Sequence, residues 1–408
     1  MERLIVFALL FLLPTQLAYH FWPQFAYVHG LRIDYLSPAI YLTDVLILLL
    51  IPYLIKRLRF KKLKLNRSVL IILIPAILVV LLNVVFAQSH TTALLKWLSI
   101  FKFTLLGFYF YLADLPRLRK TIISALSLSL VTFVSIGLIQ FVLQRTIGGP
   151  LYYLGERSFT SQTPGIALMS LFGKSLMRAY STFSHPNSFA GFVVVTLFIL
   201  LSLVRQKINT LPKSIFVAFI SVLVSLFLTL SLNAIICTFF VVVLWFVLNN
   251  FPKLVRKVKV LLPTLLISFS FFFGAISLML PQNILLRQTY KERVVLAGQA
   301  VEVFVKRPAL GVGLNNFFTV TKNVQPPHNI YLIVLAETGL FGVLIVFLLL
   351  SKLFNRKLNN YLLLALVFVL LTSLFDHYWF TLQQNELIFS VLLGLSVRNY
   401  NIRNNKDE

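Results

Sequence analysis

Long apolar runs divide this sequence and limit its possible folds more than any other feature. A membrane-spanning helix needs roughly 20 mainly apolar residues, and twelve stretches approach that length. They are residues 4–19, 37–55, 69–87, 94–112, 122–143, 187–204, 214–230, 232–248, 260–280, 329–350, 361–380 and 383–397. Because 59% of the residues are hydrophobic and only 12% are charged, a soluble fold could not cover its surface, whereas lipid removes that need. The pattern predicts one all-α transmembrane domain, residues 1–408, with about twelve spans.

Two boundaries within these runs need interpretation. The first run resembles a signal peptide, but no small-residue cleavage site precedes the bulky residues 19–22, so we interpret residues 4–19 as the first span. The run 214–248 is too long for one helix. Its polar residues Ser231 and Asn233 suit a tight interfacial turn, so we predict two spans there.

The basic residues indicate how the chain is oriented. It carries 37 Lys and Arg against 12 Asp and Glu, a net charge of +25. With the N-terminus inside, 24 of the 37 lie in inner segments, 11 in outer segments and two within the fourth span. Cytoplasmic loops of membrane proteins are rich in Lys and Arg. The bias therefore predicts cytoplasmic termini, including the tail 398–408, and explains the positive charge without a nucleic-acid partner.

Two long loops fall on the predicted outer side, at 145–186 and 281–328. Loops longer than about 12–15 residues are usually functional or disordered, and neither of these is of low complexity. The second contains Glu292–Val305, where apolar residues recur at helical spacing. We expect any functional site to involve these extracytoplasmic loops.

Both long loops end where a histidine and a proline lead into an apolar span, at His185-Pro186 and at Pro327-His328. Helix N-termini offer free backbone N–H groups and the positive end of a dipole. The same loops supply three arginines, Arg178, Arg293 and Arg307. Arginines beside helix N-termini predict an anion site, for which phosphate is the natural ligand. The alternative is that the arginines contact lipid headgroups and the histidines lie at the interface.

His328 is the main candidate for chemistry. Imidazole can accept a proton near neutral pH, as a base acting on a sugar hydroxyl must. Its alternative role is to cap the helix beginning near Asn329. Outer acidic residues are few and form no DxD-like pair, so we expect metal-independent chemistry without a cofactor, in which arginine neutralises a leaving pyrophosphate.

Ionisable residues also occur within the apolar runs, where they are costly and usually paired or functional. They are Asp44, Lys96, Lys102, Glu337, Asp376 and His377. We expect Glu337 and Lys102 to be paired for structural reasons and Asp44 to pair with a loop arginine. Asp376 and His377, near the predicted outer end of their span, can reach the anion site.

Four stretches together resemble the O-antigen ligase-like superfamily, which includes O-antigen ligases and Wzy-type polysaccharide polymerases. The stretches are Arg178 with FSHPNSFA, Arg293-VVLAGQA leading to Arg307-PALGVGLNNF, Pro327-HNIYL with Glu337-TGLFG, and Phe375-DHYWFTLQQ. Their order and spacing run from about 178 to 392, over half of the chain. The ligase-related core would be residues 187–350.

This resemblance implies a metal-independent glycosyltransferase of the inner membrane, with a GT-C-like architecture and an extracytoplasmic active site. The donor would be a glycan on undecaprenyl diphosphate, and the acceptor a hydroxyl of a glycan or a lipid-linked molecule. His328 would activate that hydroxyl, Arg178 and Arg293 would clamp the diphosphate, and the anomeric configuration would invert. The supporting residues would be His185, Asn187, Arg307, Asn329, Tyr331, Glu337, Asp376 and His377.

The chain departs from this family at Leu232, where the family often has an arginine, so one phosphate contact is in question. The sequence does not separate ligase from polymerase, because both use the same donor and a hydroxyl acceptor. A flippase for lipid-linked oligosaccharide is the alternative from another class. It would need polar residues across the whole membrane, whereas here the polar motifs cluster outside.

Overall fold

The computed structural model describes residues 1–60, 67–171, 173–204, 212–280 and 288–398. Most of these residues are helical, as the apolar runs predict. The helices are α1 Glu2–Phe11, α2 Leu42–Phe60, α3 Arg67–Val85, α4 His90–Leu112, α5 Leu115–Leu143, α6 Pro186–Leu203, α7 Lys213–Thr229, α8 Leu232–Asn250, α9 Pro252–Met279, α10 Gln288–Lys306, α11 Phe317–Thr321, α12 Ile330–Phe354, α13 Asn360–Thr372, α14 Tyr378–Thr381 and α15 Gln383–Val397. Two predicted segments lie partly outside the described residues: the tail 398–408, from residue 399 onward, and the second loop 281–328, from 281 to 287.

Short antiparallel hairpins occupy two of the predicted outer segments. The strands are β1 Ala18–His20, β2 Tyr27–Val28, β3 Leu31–Arg32, β4 Ala39–Tyr41, β5 Leu168–Leu171 and β6 Lys174–Met177. Strand β1 pairs with β4, β2 with β3, and β5 with β6. The register of the first pair sets Ala18 opposite Tyr41 and His20 opposite Ala39. These hairpins fold residues 18–41 into a small cap before α2 begins.

Within the described residues, six helices are long and apolar enough to cross a bilayer. They comprise α4, α5, α6, α8, the segment Leu261–Met279 of α9, and α12. Three shorter apolar helices lie at Leu70–Val85, Lys213–Thr229 and Asn360–Thr372. The chain is therefore a multipass helical membrane protein, and the total of twelve spans stays a prediction.

Three predicted spans are wrong as single helices. For residues 329–350, α12 is kinked at Gly339, where φ is 63° and ψ is −164°. For residues 4–19, α1 covers only 10 residues, about 15 Å at the α-helical rise, against a hydrocarbon core of about 30 Å. The chain leaves the helix before Pro14, and β1 begins at Ala18. For residues 361–380, α13 ends at Thr372 and a turn at 373–377 precedes α14.

The predicted division of the run 214–248 is confirmed. Helix α7 ends at Thr229, and Leu230 then adopts the left-handed conformation with φ of 37°. The Ser231 hydroxyl accepts a hydrogen bond from the backbone N–H of Ala234, and α8 begins at Leu232. A serine in this capping position satisfies one of the free N–H groups of α8.

Helix α6 lies at the centre of the bundle. Of its 18 residues, only Leu201 is not buried. The helix packs against α5, α7, α8, α13 and α15. A helix that is apolar on every face is stable only when surrounded by other helices. The N-terminus of α6 is therefore held in a fixed position by the whole bundle.

Three of the six ionisable groups named within the apolar runs, Asp44, Lys96 and Lys102, form ion pairs in the structure. Lys102 lies 2.8 Å from Asp44, so the expectation that Asp44 pairs with a loop arginine is wrong. Lys96 lies 2.7 Å from Glu386. These pairs join α4 to α2 and α15, because partnerless charges would be too costly between apolar helices.

Candidate active site

The N-terminus of α6 forms the first part of the candidate site. Pro186 occupies the first turn, and the Nδ1 atom of His185 accepts a hydrogen bond from the Asn187 backbone N–H at 3.2 Å. This arrangement confirms the helix start predicted from the His-Pro pair. Burial lowers the pKa of His185 to about 4. His185 is therefore a neutral cap at neutral pH.

The N-terminus of α12 forms the second part. Asn329, not His328, caps this helix by accepting the Leu332 backbone N–H at 3.1 Å. The same amide donates to the Ser270 hydroxyl at 3.0 Å and to the Leu374 carbonyl at 3.2 Å. The alternative in which His328 serves as the cap is therefore wrong, and its imidazole is left for another role.

The turn at 373–377 connects the two helix N-termini. Its Asp376 carboxylate accepts hydrogen bonds from the Asn187 side-chain amide at 2.9 Å and from the His377 backbone N–H at 2.8 Å. On the α12 side, the Ile330 backbone N–H donates to the Ser373 carbonyl at 2.9 Å. The predicted proximity of Asp376 to the site is thus found in the structure.

His328 lies against this turn. Its ring contacts the His377 ring edge to face, with centroids 5.1 Å apart. Its Nδ1 atom is buried and has no hydrogen-bond partner among the described residues. Burial lowers the pKa of His328, the Asp376 carboxylate acts in the opposite direction, and the charge of Arg293 adds to the lowering. The imidazole is therefore neutral at neutral pH and able to accept a proton.

Arg178 and Arg293 flank the histidines from the two loops. Arg178 donates through Nε to the Thr229 carbonyl and through Nη2 to the Asn187 side-chain carbonyl at 2.7 Å. Arg293 donates through Nη1 to the Phe375 carbonyl at 3.3 Å, while its Nε is buried without a partner among the described residues. Each guanidinium is thereby fixed in place, yet retains N–H groups for an anion.

Three other candidates serve the scaffold. Arg307 donates to the Phe86 carbonyl and to the Gln88 side chain, both at 3.2 Å, and no hydrogen bond in the described chain joins it to the histidines. The other two, Glu337 and Tyr331, form hydrogen bonds with the backbone. The Glu337 carboxylate accepts the backbone N–H groups of Asn315 at 2.8 Å and Phe317 at 3.1 Å, and Tyr331 donates to the Leu370 carbonyl at 2.8 Å.

These contacts correct two expectations. Arg307, expected near the predicted anion site, bonds instead to the turn between α3 and α4. Glu337, expected to have a charged partner, accepts backbone N–H groups, and no ion pair involves it among the described residues. Glu337 thus anchors the turn that precedes α11 to α12.

Leu232, where the family often has an arginine, lies at the turn between α7 and α8. Leu232 begins α8, and 69% of its surface is exposed. Its neighbour on the other side of the turn, Thr229, accepts the hydrogen bond from Arg178. The turn between α7 and α8 therefore contacts the site through a backbone carbonyl, a contact that does not depend on the side chain at 232.

Two further residues, Tyr35 and Thr381, contact His377 and were not among the predicted site residues. Tyr35 packs edge to face on His377 with centroids 5.5 Å apart, and Thr381 lies 2.7 Å from His377 Nδ1. Thr381 lies in the predicted Phe375-DHYWFTLQQ stretch, but Tyr35 belongs to a segment without any motif. Among the described residues, no three His, Cys, Asp or Glu side chains are grouped as metal ligands would be.

Comparison with known proteins gives one family. No curated protein and no solved structure matches the chain. The family model described as O-antigen ligase matches residues 216–347, a segment that contains His328 and Arg293. This match supports a role in membrane glycosyl transfer. The resemblance to the O-antigen ligase family is thereby confirmed over residues 216–347, which contain the second and third of the four motifs, whereas the motifs at Arg178 and Phe375 lie outside the matched segment.

Proposed function

We propose that the protein is a metal-independent, inverting glycosyltransferase of the inner membrane that transfers a glycan from undecaprenyl diphosphate to an acceptor hydroxyl. The observation that carries this proposal is the environment of His328. A neutral imidazole whose buried Nδ1 atom has no hydrogen-bond partner among the described residues lies near the buried Asp376 carboxylate and Arg293, and Arg178 is linked to that carboxylate through Asn187. That combination suits the deprotonation of a hydroxyl next to a diphosphate.

In the proposed reaction, His328 removes the proton from the acceptor hydroxyl. The resulting oxygen nucleophile attacks the anomeric carbon and forms the new glycosidic bond. The bond from that carbon to the diphosphate oxygen breaks, and the electron pair leaves with the diphosphate. Attack from the face opposite the leaving group inverts the anomeric configuration.

The charges around the site support these steps. Arg178 and Arg293 would bind the diphosphate and stabilise the charge that develops on it. The Asp376 carboxylate would stabilise the imidazolium that forms at His328, as its upward effect on the His328 pKa indicates. The N-termini of α6 and α12 would add the positive ends of two helix dipoles.

The proposal places this site outside the cytoplasmic membrane, with both termini in the cytoplasm. The support comes from the distribution of Lys and Arg among the loops. Ligation and polymerisation both fit this site, because each requires the same donor and a hydroxyl acceptor. The acceptor would be a glycan or a lipid-linked molecule.

The test in cells is His328→Ala in a strain that lacks the native protein, scored by the glycan profile. His90→Ala is the matched control, because His90 is exposed and begins α4. The proposal expects the lipid-linked donor to accumulate only with His328→Ala. Loss of long chains with single units retained would indicate a polymerase, and loss of all attached glycan a ligase. Full transfer by His328→Ala would overturn the assignment of the base.

A further inference from the structure

A cavity of about 440 Å³ lies beside His377, which two of its lining residues contact. Its walls come from Gln16 and the hairpin cap of residues 18–41, from the loop before α6, from residues 324–325 and from the start of α15. Its size falls within the usual range of small-molecule sites, about 300–1,000 Å³. The steps of the proposed reaction do not use this space.

The cavity is connected to the candidate base by side-chain contacts. Tyr35 and Thr381 line the cavity, and both contact His377, at 5.5 Å between ring centroids and at 2.7 Å to Nδ1 respectively. His377 in turn contacts His328, at 5.1 Å between centroids. The cavity is therefore connected to His328 through one intervening side chain, that of His377.

The polar part of the lining is held in place by its own hydrogen bonds. Arg157 lies 3.1 Å from the Asp34 carboxylate and donates to the Gln16 side-chain carbonyl and the Ser184 hydroxyl, both at 3.3 Å. The Gln16 amide donates to Ser184 at 2.6 Å and to Gln384 at 3.3 Å. These groups come from three separate segments, so their arrangement requires the folded cap.

This lining suits a ligand rich in hydroxyl groups. A hydroxyl both donates and accepts hydrogen bonds, and the wall offers amides, a carboxylate, a guanidinium and a serine hydroxyl close together. The rings of Tyr35 and Tyr41 add apolar surface that C–H groups can cover. The charges of Arg157 and Asp34 offset each other, and the guanidinium of Arg32, the other arginine of the lining, lies over the Trp22 ring, 5.2 Å from its centroid. A polyol therefore fits the chemistry of this wall.

We propose that this cavity is a saccharide-binding subsite, which holds sugar units of one of the two glycan substrates while His328 acts on the reacting hydroxyl. The inference rests on the proposed function for the identity of the substrates, but saccharide binding can be measured without transfer. Donor and acceptor glycans share the chemistry that the cavity would recognise, and the experiment distinguishes between them.

The experiment uses the full-length protein in detergent and measures binding by saturation-transfer NMR. The probes are two water-soluble oligosaccharides, one released by mild acid from the lipid diphosphate-linked donor and one from the lipid-anchored acceptor. Arg157→Ala combined with Asp34→Ala removes the polar pair at unchanged net charge. Val324→Trp fills the cavity without removing any of its polar groups. Arg145→Ala is the control, because Arg145 is an exposed arginine on the same loop and is not part of the lining.

Binding of one oligosaccharide should weaken at least about tenfold in both cavity variants, equivalent to the loss of about 1.4 kcal/mol. Binding should be unchanged in Arg145→Ala and in His328→Ala. The oligosaccharide that responds, donor or acceptor, identifies the occupant. Equal binding by all variants, or no binding of either probe by the unaltered protein, would overturn the subsite. The transfer assay tests the proposed function separately. Full transfer by His328→Ala, together with normal oligosaccharide binding to the cavity, would refute the proposed function and leave the subsite standing.

Discussion

The cap of α12 determines where His328 lies, so Asn329→Ala should disturb both stability and transfer. Asn329 is 3% exposed, and its amide makes three hydrogen bonds, at 3.1 Å to the Leu332 N–H, 3.0 Å to Ser270 and 3.2 Å to the Leu374 carbonyl. Loss of the cap costs about 1 kcal/mol. Each of the other two bonds contributes about 1 kcal/mol, so the variant should lose about 3 kcal/mol of folding free energy.

The effect on transfer should be larger than the effect on stability. The hydrogen bond from Asn329 to the Leu374 carbonyl holds the neighbouring His328 against the turn that carries Asp376 and His377. A displacement of about 1 Å at a catalytic group can cost about 100-fold in rate. Asn329→Ser keeps the capping oxygen and loses the amide donors, so its loss of stability should be smaller while the defect in transfer persists.

The matched control is Asn359→Ala. Asn359 caps α13 by accepting the Tyr361 N–H at 2.9 Å, and within the described part of the chain no hydrogen bond ties its side chain to the 373–377 turn. It should lose about 1 kcal/mol of stability with little change in kcat. Denaturation in detergent and steady-state transfer kinetics measure the two quantities. Equal kcat values for Asn329→Ala and Asn359→Ala would refute the idea that this cap positions the base.

Three further predictions follow from the same contacts. Because burial lowers the pKa of His328, the base is deprotonated above that pKa, so kcat/KM should fall only below about pH 6.5, the ordinary imidazole value; an acid limb above 6.5 in the pH profile would contradict this. Arg178→Lys cannot make both of its present hydrogen bonds, so the KM for the donor should rise about tenfold, whereas Arg145→Lys should leave it unchanged; similar KM values in the two variants would refute the clamp. Lys102→Met leaves the Asp44 carboxylate without its cation and should cost about 3 kcal/mol in detergent denaturation. Asp44→Asn in the same chain should restore part of that loss, and no loss in the single variant would contradict the pairing.

The sequence predicted the fold where local chemistry and hydropathy agree. The turn at Ser231 illustrates this, because a helix-capping residue interrupts a run too long for one span. Hydropathy failed at residues 4–19, since it does not register that Pro14 ends a short helix and that β1 pairs with β4. It failed again at 361–380, where the aromatic residues of α14 continue the apolar run through a turn.

The candidate site was predictable in its residues but not in their contacts. The histidines and arginines beside the helix N-termini could be found from the loops that contain them. Whether His328 or Asn329 caps α12 could not be decided from the sequence, although asparagine is the stronger capping residue. The bond from Asn187 to Asp376 joins residues 189 positions apart, and only the packing of α6 against α13 brings them together. Tyr35 and its cavity arise from a cap without any motif.

The central claim is that His328 acts as the base in glycosyl transfer. The most direct measurement is the single-turnover rate of the purified protein with saturating lipid diphosphate-linked donor and a hydroxyl acceptor. His328→Ala should lower this rate by about 100- to 10,000-fold, the usual contribution of a general base, while donor binding and the rate of His90→Ala stay unchanged. A rate for His328→Ala within about threefold of the unaltered protein, below even the smallest such contribution, would contradict the claim.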